Sequence, residues 1–249
     1  SNAKEDITIS DSVYGQITVH KDELDDFIIL RSNKAPTYHF AVVIDDNESG
    51  ITHILRGDDH LKNSAKHLQL MDAMGYKKPE FIHLPMILGP DGSRLSKRHG
   101  AMNILEYKDQ GFLPEAMLNY LVRLGWSFGD QEVFNIQEMI DAFDVKNINK
   151  SSARFDLEKL QWLNQQHLSN SDNSELTEFL KLNTSLKELP SEKTIDSFID
   201  AYKPRINNLN ELVGYFDSLY TEQFSVEDSA AEKFLKQEIL VPFQDLLEM

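Results

Sequence analysis

The chain has 249 residues, 41% of them hydrophobic, and a formal net charge of −16, which predicts a folded, acidic, globular protein. It contains no cysteine, so disulfides, thiolate zinc sites and a cysteine nucleophile are excluded. No apolar run approaches the roughly 20 residues of a membrane span, and we expect a cytoplasmic protein without a membrane partner.

Most of the excess negative charge lies in the last third of the chain, where residues 171–249 carry 16 acidic and 7 basic side chains. This charge disfavours nonspecific nucleic-acid binding, because phosphate contacts need lysine and arginine. Any bound nucleic acid must therefore meet local basic patches.

The first part of the chain has the pattern of β-structure. Ser1-Asn2-Ala3 looks like the remnant of an expression tag. "ITISDSVYGQITVH" alternates apolar and polar residues around a Tyr-Gly break, which is typical of a hairpin or of two short edge strands. "DFIILRS" and "TYHFAVVIDD" are predicted as further strands, and the second is apolar enough to be buried on both faces.

The next segment predicts a strand, a polar turn and a helix. The strand runs from Ile51 to Leu55, the acidic residues Asp58 and Asp59 are predicted to cap the helix, and Gly75 ends it. This order is typical of α/β proteins, whose ligands bind at the carboxyl ends of strands. "FIHLPMIL" is another predicted strand, and it leads into a basic loop.

After Ala101 the pattern becomes helical. "LPEAMLNYLVRLGW" predicts a helix that begins at Pro114 and stops at Gly125. Its predicted apolar stripe consists of Met117, Leu118, Leu121 and Leu124. Helical segments continue to the end of the chain, and the polar cluster 169–174 is predicted as a linker. The predicted helices are "NIQEMIDAFD", "DLEKLQWLNQQHL", "SELTEFLKLN", "TIDSFIDAYKPRINNLNELVGYFDSLY" and "SAAEKFLKQEILVPFQDLLEM".

The basic loop "GSRLSKRHGA" holds Arg94, Lys97, Arg98 and His99 without one acidic residue. A solvated basic turn is one interpretation. The flanking glycines and the strand before the loop favour contact with phosphates, because mobile cations suit a triphosphate whose charge shifts during a reaction.

Two further side chains have alternative interpretations. Arg56, at the end of a predicted strand, could form an ion pair with a neighbouring acid or grip a substrate carboxylate in two places. Tyr38 could be a core aromatic residue or a ligand contact. His60 and His67 lie near two acids but show no recognised metal spacing, so no metal site built by protein ligands is predicted.

"RLSKRHGA" closely resembles the KMSKS-type signature of class I aminoacyl-tRNA synthetases, in the form typical of bacterial glutamyl-tRNA synthetases. "DFIILRSNKAPTYHFAVVIDD", "ITHILRGDDHLKNS", "GFLPEAMLNYLVRLGWSFGDQEVF" and "FDLEKLQWLN" look like successive blocks of that family in the same order. The resemblance is strong over residues 26–168 and weaker on both sides.

The resemblance implies an α/β part followed by a mainly α part. Residues 1–25 would hold the tag remnant and the end of a connective-peptide insertion. Residues 26–88 would form the second half of a Rossmann-type catalytic domain. Residues 89–170 would carry the KMSKS-type loop and a helical domain that contacts the tRNA stem, and residues 171–249 would begin a helical anticodon-binding region.

The resemblance also implies roles for individual residues. Tyr38 and Arg56 fall where the family recognises glutamate. Arg94 replaces the commoner first lysine of the loop, and Val42 stands where some members carry an asparagine near the substrate. ATP contacts are implied for Asp59, His60, Met86, Ile87, Arg94, Ser96, Lys97 and Arg98, with Arg94 and Lys97 as the catalytic residues and Asp58 beside them on the nucleotide-side turn.

The activity implied is that of a glutamate–tRNA ligase of protein biosynthesis. It activates glutamate with ATP to glutamyl-adenylate and transfers the glutamyl group to tRNA(Glu). Mg²⁺ would be held through the ATP phosphates, without zinc, and the protein would be a monomer. The HIGH signature of the family does not occur here, so we expect a fragment that lacks the N-terminal nucleotide-binding part and the end of the anticodon-binding region, and that is inactive alone.

Three alternatives remain open. A glutamate-activating tRNA-modifying paralogue would lack the long helical tail, and a glutaminyl-tRNA synthetase would follow its catalytic half with β-barrels. The predicted helices in residues 171–249 disfavour both. A noncatalytic tRNA-binding module is the alternative from a different functional class.

Overall fold

The structure is a computed structural model that describes residues 5–96 and 103–221. Four strands form a sheet in the first part: β1 (Ile7–Asp11), β2 (Gly15–Val19), β3 (His53–Gly57) and β4 (Glu80–Leu84). Their order is β2-β1-β4-β3. β1 and β2 form the expected antiparallel hairpin, whereas β3 and β4 are parallel. β1 is parallel to β4 and joins it through the pair Asp11 and Phe81, so the sheet is mixed.

Two helices cover this sheet. α1 (Tyr38–Glu48) packs on α2 (Leu61–Met74), which connects β3 to β4 and ends, as predicted, at Gly75 in the left-handed conformation. Their core includes Ile9, Val43, Leu68, Met71 and Phe81. The βαβ connection explains why β3 and β4 are parallel, and it brings their carboxyl ends to one edge of the sheet.

The predictions of strands in residues 26–32 and 37–46 are wrong. Tyr38–Glu48 is a helix, because packing of its Val43 face in the core outweighs the strand preference of its β-branched residues. The preceding "DFIILRS" forms an isolated bridge between Leu30 and Pro36 instead of a strand. The chain turns at Lys34, which has a φ of 65°, and the Thr37 hydroxyl donates to the carbonyl of Ile28 at 2.8 Å.

The predicted helices of the middle region are confirmed. The structure has α3 (Ile104–Asp109), α4 (Pro114–Gly125), α5 (Ile136–Ala142) and α6 (Leu157–Asn170). The predicted stripe of α4 is only partly buried, since Leu118 and Leu121 are exposed. Buried Asn119 shifts the inward face: its amide donates to the carbonyl of Glu132, and its Oδ1 accepts from the Phe134 amide, both at 2.9 Å.

The described residues fall into two compact units, divided within α6 between His167 and Leu168. The second unit contains α7 (Asn173–Asn183), α8 (Glu192–Tyr202) and α9 (Leu209–Tyr220) around Leu180, Ile199 and Phe216. Residues 222–249, with the last predicted helix, lie outside the described residues. None of the described helices combines the length and the apolar character needed to cross a membrane.

Candidate functional site

The centre of the candidate site is a row of three side chains from three adjacent strands. Asp11 ends β1, His83 lies in β4 and Arg56 lies in β3. The Nδ1 of His83 is 2.7 Å from Oδ2 of Asp11, and the Nε of Arg56 donates to Nε2 of His83 at 3.2 Å. The side chains of Asp11 and His83 are fully buried, so this row fixes Arg56 from the interior of the sheet.

Arg56 is also held from α2 and from the turn before it. Its Nη2 donates to the hydroxyl of Ser64 at 2.7 Å and to the carbonyl of His60 at 3.3 Å. Burial lowers the pKa of Arg56, while the nearby Tyr38, Asp46 and Asp59 oppose that shift; the guanidinium stays charged at neutral pH. In the described part of the chain, Nη1 of Arg56 donates no hydrogen bond. A ligand carboxylate can therefore accept from Nη1.

Tyr38 lies beside Arg56, as the resemblance implies, but at the first position of a helix. Its side chain is 54% exposed, so it is available to a ligand and is not the core aromatic residue of the alternative interpretation. Its ring stacks edge-on to His39 with centroids 5.2 Å apart, and His67 follows at 6.3 Å. Val42, one turn along α1, is half-buried.

The two histidine rings that contact Tyr38 also contact each other. His39 Nδ1 and His67 Nε2 are 3.1 Å apart. Burial, helped by the positive charge of Arg56, lowers the pKa of His67 to about 4, and burial also lowers the pKa of His39. Both rings are therefore neutral at pH 7, and in the described residues Nδ1 of His67 is buried without a hydrogen-bond partner.

The prediction that Asp58 and Asp59, in the turn after β3, cap α2 is wrong. The described contacts include no capping bond from these acids, because both carboxylates point to other partners. Oδ2 of Asp58 accepts from the hydroxyl of Tyr14 at 2.9 Å. Burial, and to a smaller extent this bond, raises the pKa of Tyr14 to about 12.

The second acid of the turn, Asp59, contacts the basic loop: the Nη2 of Arg94 lies 3.2 Å from its Oδ2. Arg94 is 66% exposed, so this ion pair is weak in water and can exchange for a phosphate. His60 completes the turn, with its ring also exposed. The turn thus joins Arg56, at the end of β3, to the first cation of the loop.

The loop is anchored at its base by backbone hydrogen bonds. Leu88 donates to the carbonyl of Ala153 and accepts from the amide of Phe155, both at 2.8 Å. The amide of Gly92 donates to the carbonyl of Gly89 at 3.0 Å and closes a turn. Gly92 has a φ of 78° in this turn. Ser96 is the last described residue of this stretch, and the predicted ATP ligands Lys97 and Arg98 lie outside the described residues.

Met86 and Ile87, predicted to meet adenine, lie between the end of β4 at Leu84 and the loop. The Sδ of Met86 is 3.6 Å from the position of a methyl group on Gly57, which places Met86 beside the acidic turn. Ile87 accepts from the amide of Leu95 at 2.9 Å and borders an apolar cavity of about 220 Å³ with Leu55. Both residues are half-buried, so apolar groups remain accessible here.

Sequence reasoning missed Asp11, His83 and Ser64. The available signal was a polar residue within an apolar strand, as His83 is in "FIHLPMIL". In the described residues no group of three or more acidic or histidine side chains is arranged to hold a metal ion. The arrangement combines a fixed cation, an exposed tyrosine and a basic loop, which suits an anionic ligand and a phosphate.

Comparison with known proteins identifies relatives of this chain. Residues 1–162 match the family described as "tRNA synthetases class I (E and Q), catalytic domain". The "Glutamate--tRNA ligase 1" of Alkalilimnicola ehrlichii is 44% identical over 247 residues, which are 97% of this chain and 52% of that protein. The "Glutamate--tRNA ligase" of Francisella tularensis subsp. holarctica is 43% identical over the same proportions.

Solved structures give the same result. The glutamate–tRNA ligase of Elizabethkingia meningosepticum, described as in complex with its amino acid, has a TM-score of 0.82 and 33% identity, and the match covers 98% of this chain and 53% of that one. The glutamate–tRNA synthetase of Elizabethkingia anophelis has a TM-score of 0.76 and the same identity, with 92% and 50% covered. The chain thus spans about half the length of the relatives it matches.

Proposed function

Because the chain belongs to the E and Q branch of the class I tRNA synthetases, we propose that it supplies the glutamate pocket and the ATP loop of a glutamate–tRNA ligase. The reaction would be ATP-dependent formation of glutamyl-adenylate, followed by transfer of the glutamyl group to tRNA(Glu). The chain, with half the length of its relatives, would be inactive alone.

The observation that carries this proposal is the fixation of Arg56. Three groups hold its Nε and Nη2, and Tyr38 lies exposed beside it. A guanidinium whose side chain is already ordered loses little entropy when it binds a carboxylate. Arg56 therefore suits a carboxylate of glutamate, and Tyr38 would contact the same ligand.

The ATP side would be formed by the acidic turn and the basic loop. Arg94 pairs with exposed Asp59, and an incoming triphosphate would compete for this cation. Lys97 and Arg98, on the loop, would follow the phosphates as their charge moves. His60 and Ser96 would add polar contacts, and Met86 and Ile87 apolar contacts to adenine.

The reaction needs no protein nucleophile. The α-carboxylate of glutamate attacks the α-phosphate of ATP and pyrophosphate leaves. A hydroxyl of the terminal adenosine of the tRNA later accepts the acyl group and AMP leaves. Arg56 and Tyr38 orient the attacking amino acid, while Arg94 and Lys97 stabilise negative charge on the phosphate oxygens. Mg²⁺ would bind through those phosphates, a mode that needs few protein ligands.

The remaining assignments extend this proposal. Basic side chains of the middle helices would contact the tRNA stem, and the helices after residue 170 would belong to the anticodon-binding side. The protein would act as a monomer in the cytoplasm.

The test is glutamate-dependent ATP–pyrophosphate exchange, measured on this chain and on the full-length product of its gene. We expect exchange with the full-length product, dependent on glutamate, and none with this chain alone. The same two proteins are titrated with tRNA(Glu). Tight tRNA binding by the full-length product without any exchange would refute the ligase proposal and support the noncatalytic tRNA-binding module.

A further inference from the structure

We propose that Asp11 and His83 are positioning residues that fix one tautomer of His83 and thereby aim the guanidinium of Arg56 at the substrate carboxylate. This inference rests on the proposed role of Arg56 in binding glutamate. Neither residue touches the substrate; each acts through Arg56.

The tautomer follows from the direction of the hydrogen bonds. Arg56 has only donors, so the Nε2 of His83, which lies 3.2 Å from Nε of Arg56, must be an acceptor without a proton. The ring proton then resides on Nδ1 and is donated to Oδ2 of Asp11 at 2.7 Å. His83 is thus a neutral ring that links the buried carboxylate of Asp11 to the guanidinium of Arg56. The position of the carboxylate therefore determines the position of the guanidinium.

Asp11 is bound only by donors, which fixes its own orientation. Its Oδ1 accepts from the backbone amides of Val13 and Tyr14, both at 2.9 Å. Its Oδ2 accepts from the backbone amide of His83 at 3.1 Å, in addition to the ring. An asparagine could satisfy Val13 and Tyr14 only by turning its NH₂ group toward His83. The ring would then have to accept at Nδ1 and carry its proton on Nε2, directly against the Nε proton of Arg56.

Ser64 forms a second support of Arg56, on α2. Its hydroxyl accepts from Nη2 at 2.7 Å and lies 3.3 Å from Nε2 of His83. With Nε and Nη2 both held by protein groups, the Nη1 edge is directed to the ligand. A shift of the histidine proton changes the contacts of Nε2 with Nε of Arg56 and with the Ser64 hydroxyl, so the expected defect is misorientation of Arg56 and not loss of the fold.

The first test measures the tautomer on this 249-residue chain by ¹⁵N NMR of the histidine rings, with the His83 signals assigned through their loss in His83→Gln. We expect the Nδ1–H form in the unsubstituted chain and a shift toward Nε2–H in Asp11→Asn. An Nε2–H ring in the unsubstituted chain would overturn the inference, whether or not any variant folds.

The second test measures glutamate use by the full-length product in ATP–pyrophosphate exchange. Asp11→Asn and His83→Leu should raise the KM for glutamate by about ten-fold or more, with the KM for ATP changed less than about two-fold. His83→Gln should recover much of the loss, because its amide oxygen can accept from Arg56. A purely structural role would give His83→Gln no such advantage and would shift both KM values together.

Arg56→Lys is the reference variant. It distinguishes failure of the proposed glutamate-binding role of Arg56 from failure of the proposed positioning role of Asp11 and His83. If Arg56→Lys leaves glutamate use unchanged, the proposed role of Arg56 is wrong. If Arg56→Lys raises the KM for glutamate while Asp11→Asn and His83→Leu, with unchanged tryptophan fluorescence, do not, the positioning inference alone is overturned.

Discussion

The guanidinium of Arg94 lies 3.2 Å from Oδ2 of Asp59, which joins the first cation of the basic loop to the turn that follows Arg56 on β3. Gly57 makes room for this contact. A methyl group on Gly57 would lie 2.6 Å from Oδ1 of Asp59. The backbone of Gly57, with a φ of −63° and a ψ of 148°, would accept any residue, so this close contact is the effect expected of a substitution.

We therefore predict that Gly57→Ala displaces the Asp59 side chain and weakens ATP use, because Asp59 is itself one of the proposed ATP contacts. The free energy of unfolding should change by less than about 1 kcal/mol, because exposed ion pairs contribute little. The measurement is the KM for ATP in pyrophosphate exchange by the full-length product. The matched control is the same substitution in an Asp59→Ala background, where no further change is expected. An equal effect in both backgrounds would show that Gly57 acts by another route.

Arg56→Lys should mainly weaken glutamate use. Lysine cannot reproduce the planar fork, and a charged hydrogen bond typically contributes about 1.5 to 3 kcal/mol. Steady-state kinetics with glutamate provide the measurement, and Arg31→Lys, at an exposed position, is the matched control. Unchanged KM and kcat for glutamate would return Arg56 to the ion-pair interpretation.

Lys97→Ala should slow adenylate formation by about 10²–10³ while tRNA affinity changes little, because this lysine is predicted to stabilise charge on the leaving pyrophosphate. Lys97 lies outside the described residues, so this prediction rests on its place in the sequence motif. Pre-steady-state adenylate formation and tRNA affinity against salt are measured together, with Lys108→Ala, exposed on α3, as control. A wild-type activation rate with a salt slope reduced by about one would make Lys97 a nucleic-acid contact.

The stability of the first unit should depend on pH through His67. Its folded pKa of about 4 lies below the value of about 6.5 in an unfolded chain, so the unfolded chain binds more protons between these values. The stabilising contribution of the neutral ring is therefore complete above about pH 6.5 and decreases as the pH falls toward 4, by at most about 1.4 kcal/mol per pH unit.

Tryptophan fluorescence during urea unfolding measures this dependence, because both tryptophans, Trp126 and Trp162, lie in the first unit. His67→Gln should lose less stability than the unsubstituted chain between pH 7 and pH 5. His39→Gln should act in the same direction, since burial also lowers the pKa of His39. Parallel pH curves for all three proteins would show that the pair does not titrate as described.

The sequence by itself determined the family, the helical second half and the elements with strong local signals. Pro114 begins a helix and Gly75 ends one as predicted, because proline holds φ near its helical value and glycine readily adopts the left-handed conformation, and both effects are local. Arg56 and Tyr38 were predicted from sequence as glutamate contacts, since they lie within family blocks that are contiguous along the chain, and that role stays a prediction.

The tertiary structure alone decided which elements pack together and what holds the site. Residues 38–48 contain β-branched residues that favour a strand, yet burial of Val43 against the core makes them a helix. Asp11 and His83 are 72 residues apart, and no local pattern connects them. A buried carboxylate and a buried imidazole need hydrogen-bond partners, and the bond between Asp11 and His83 forms only because β1 and β4 lie side by side in the sheet.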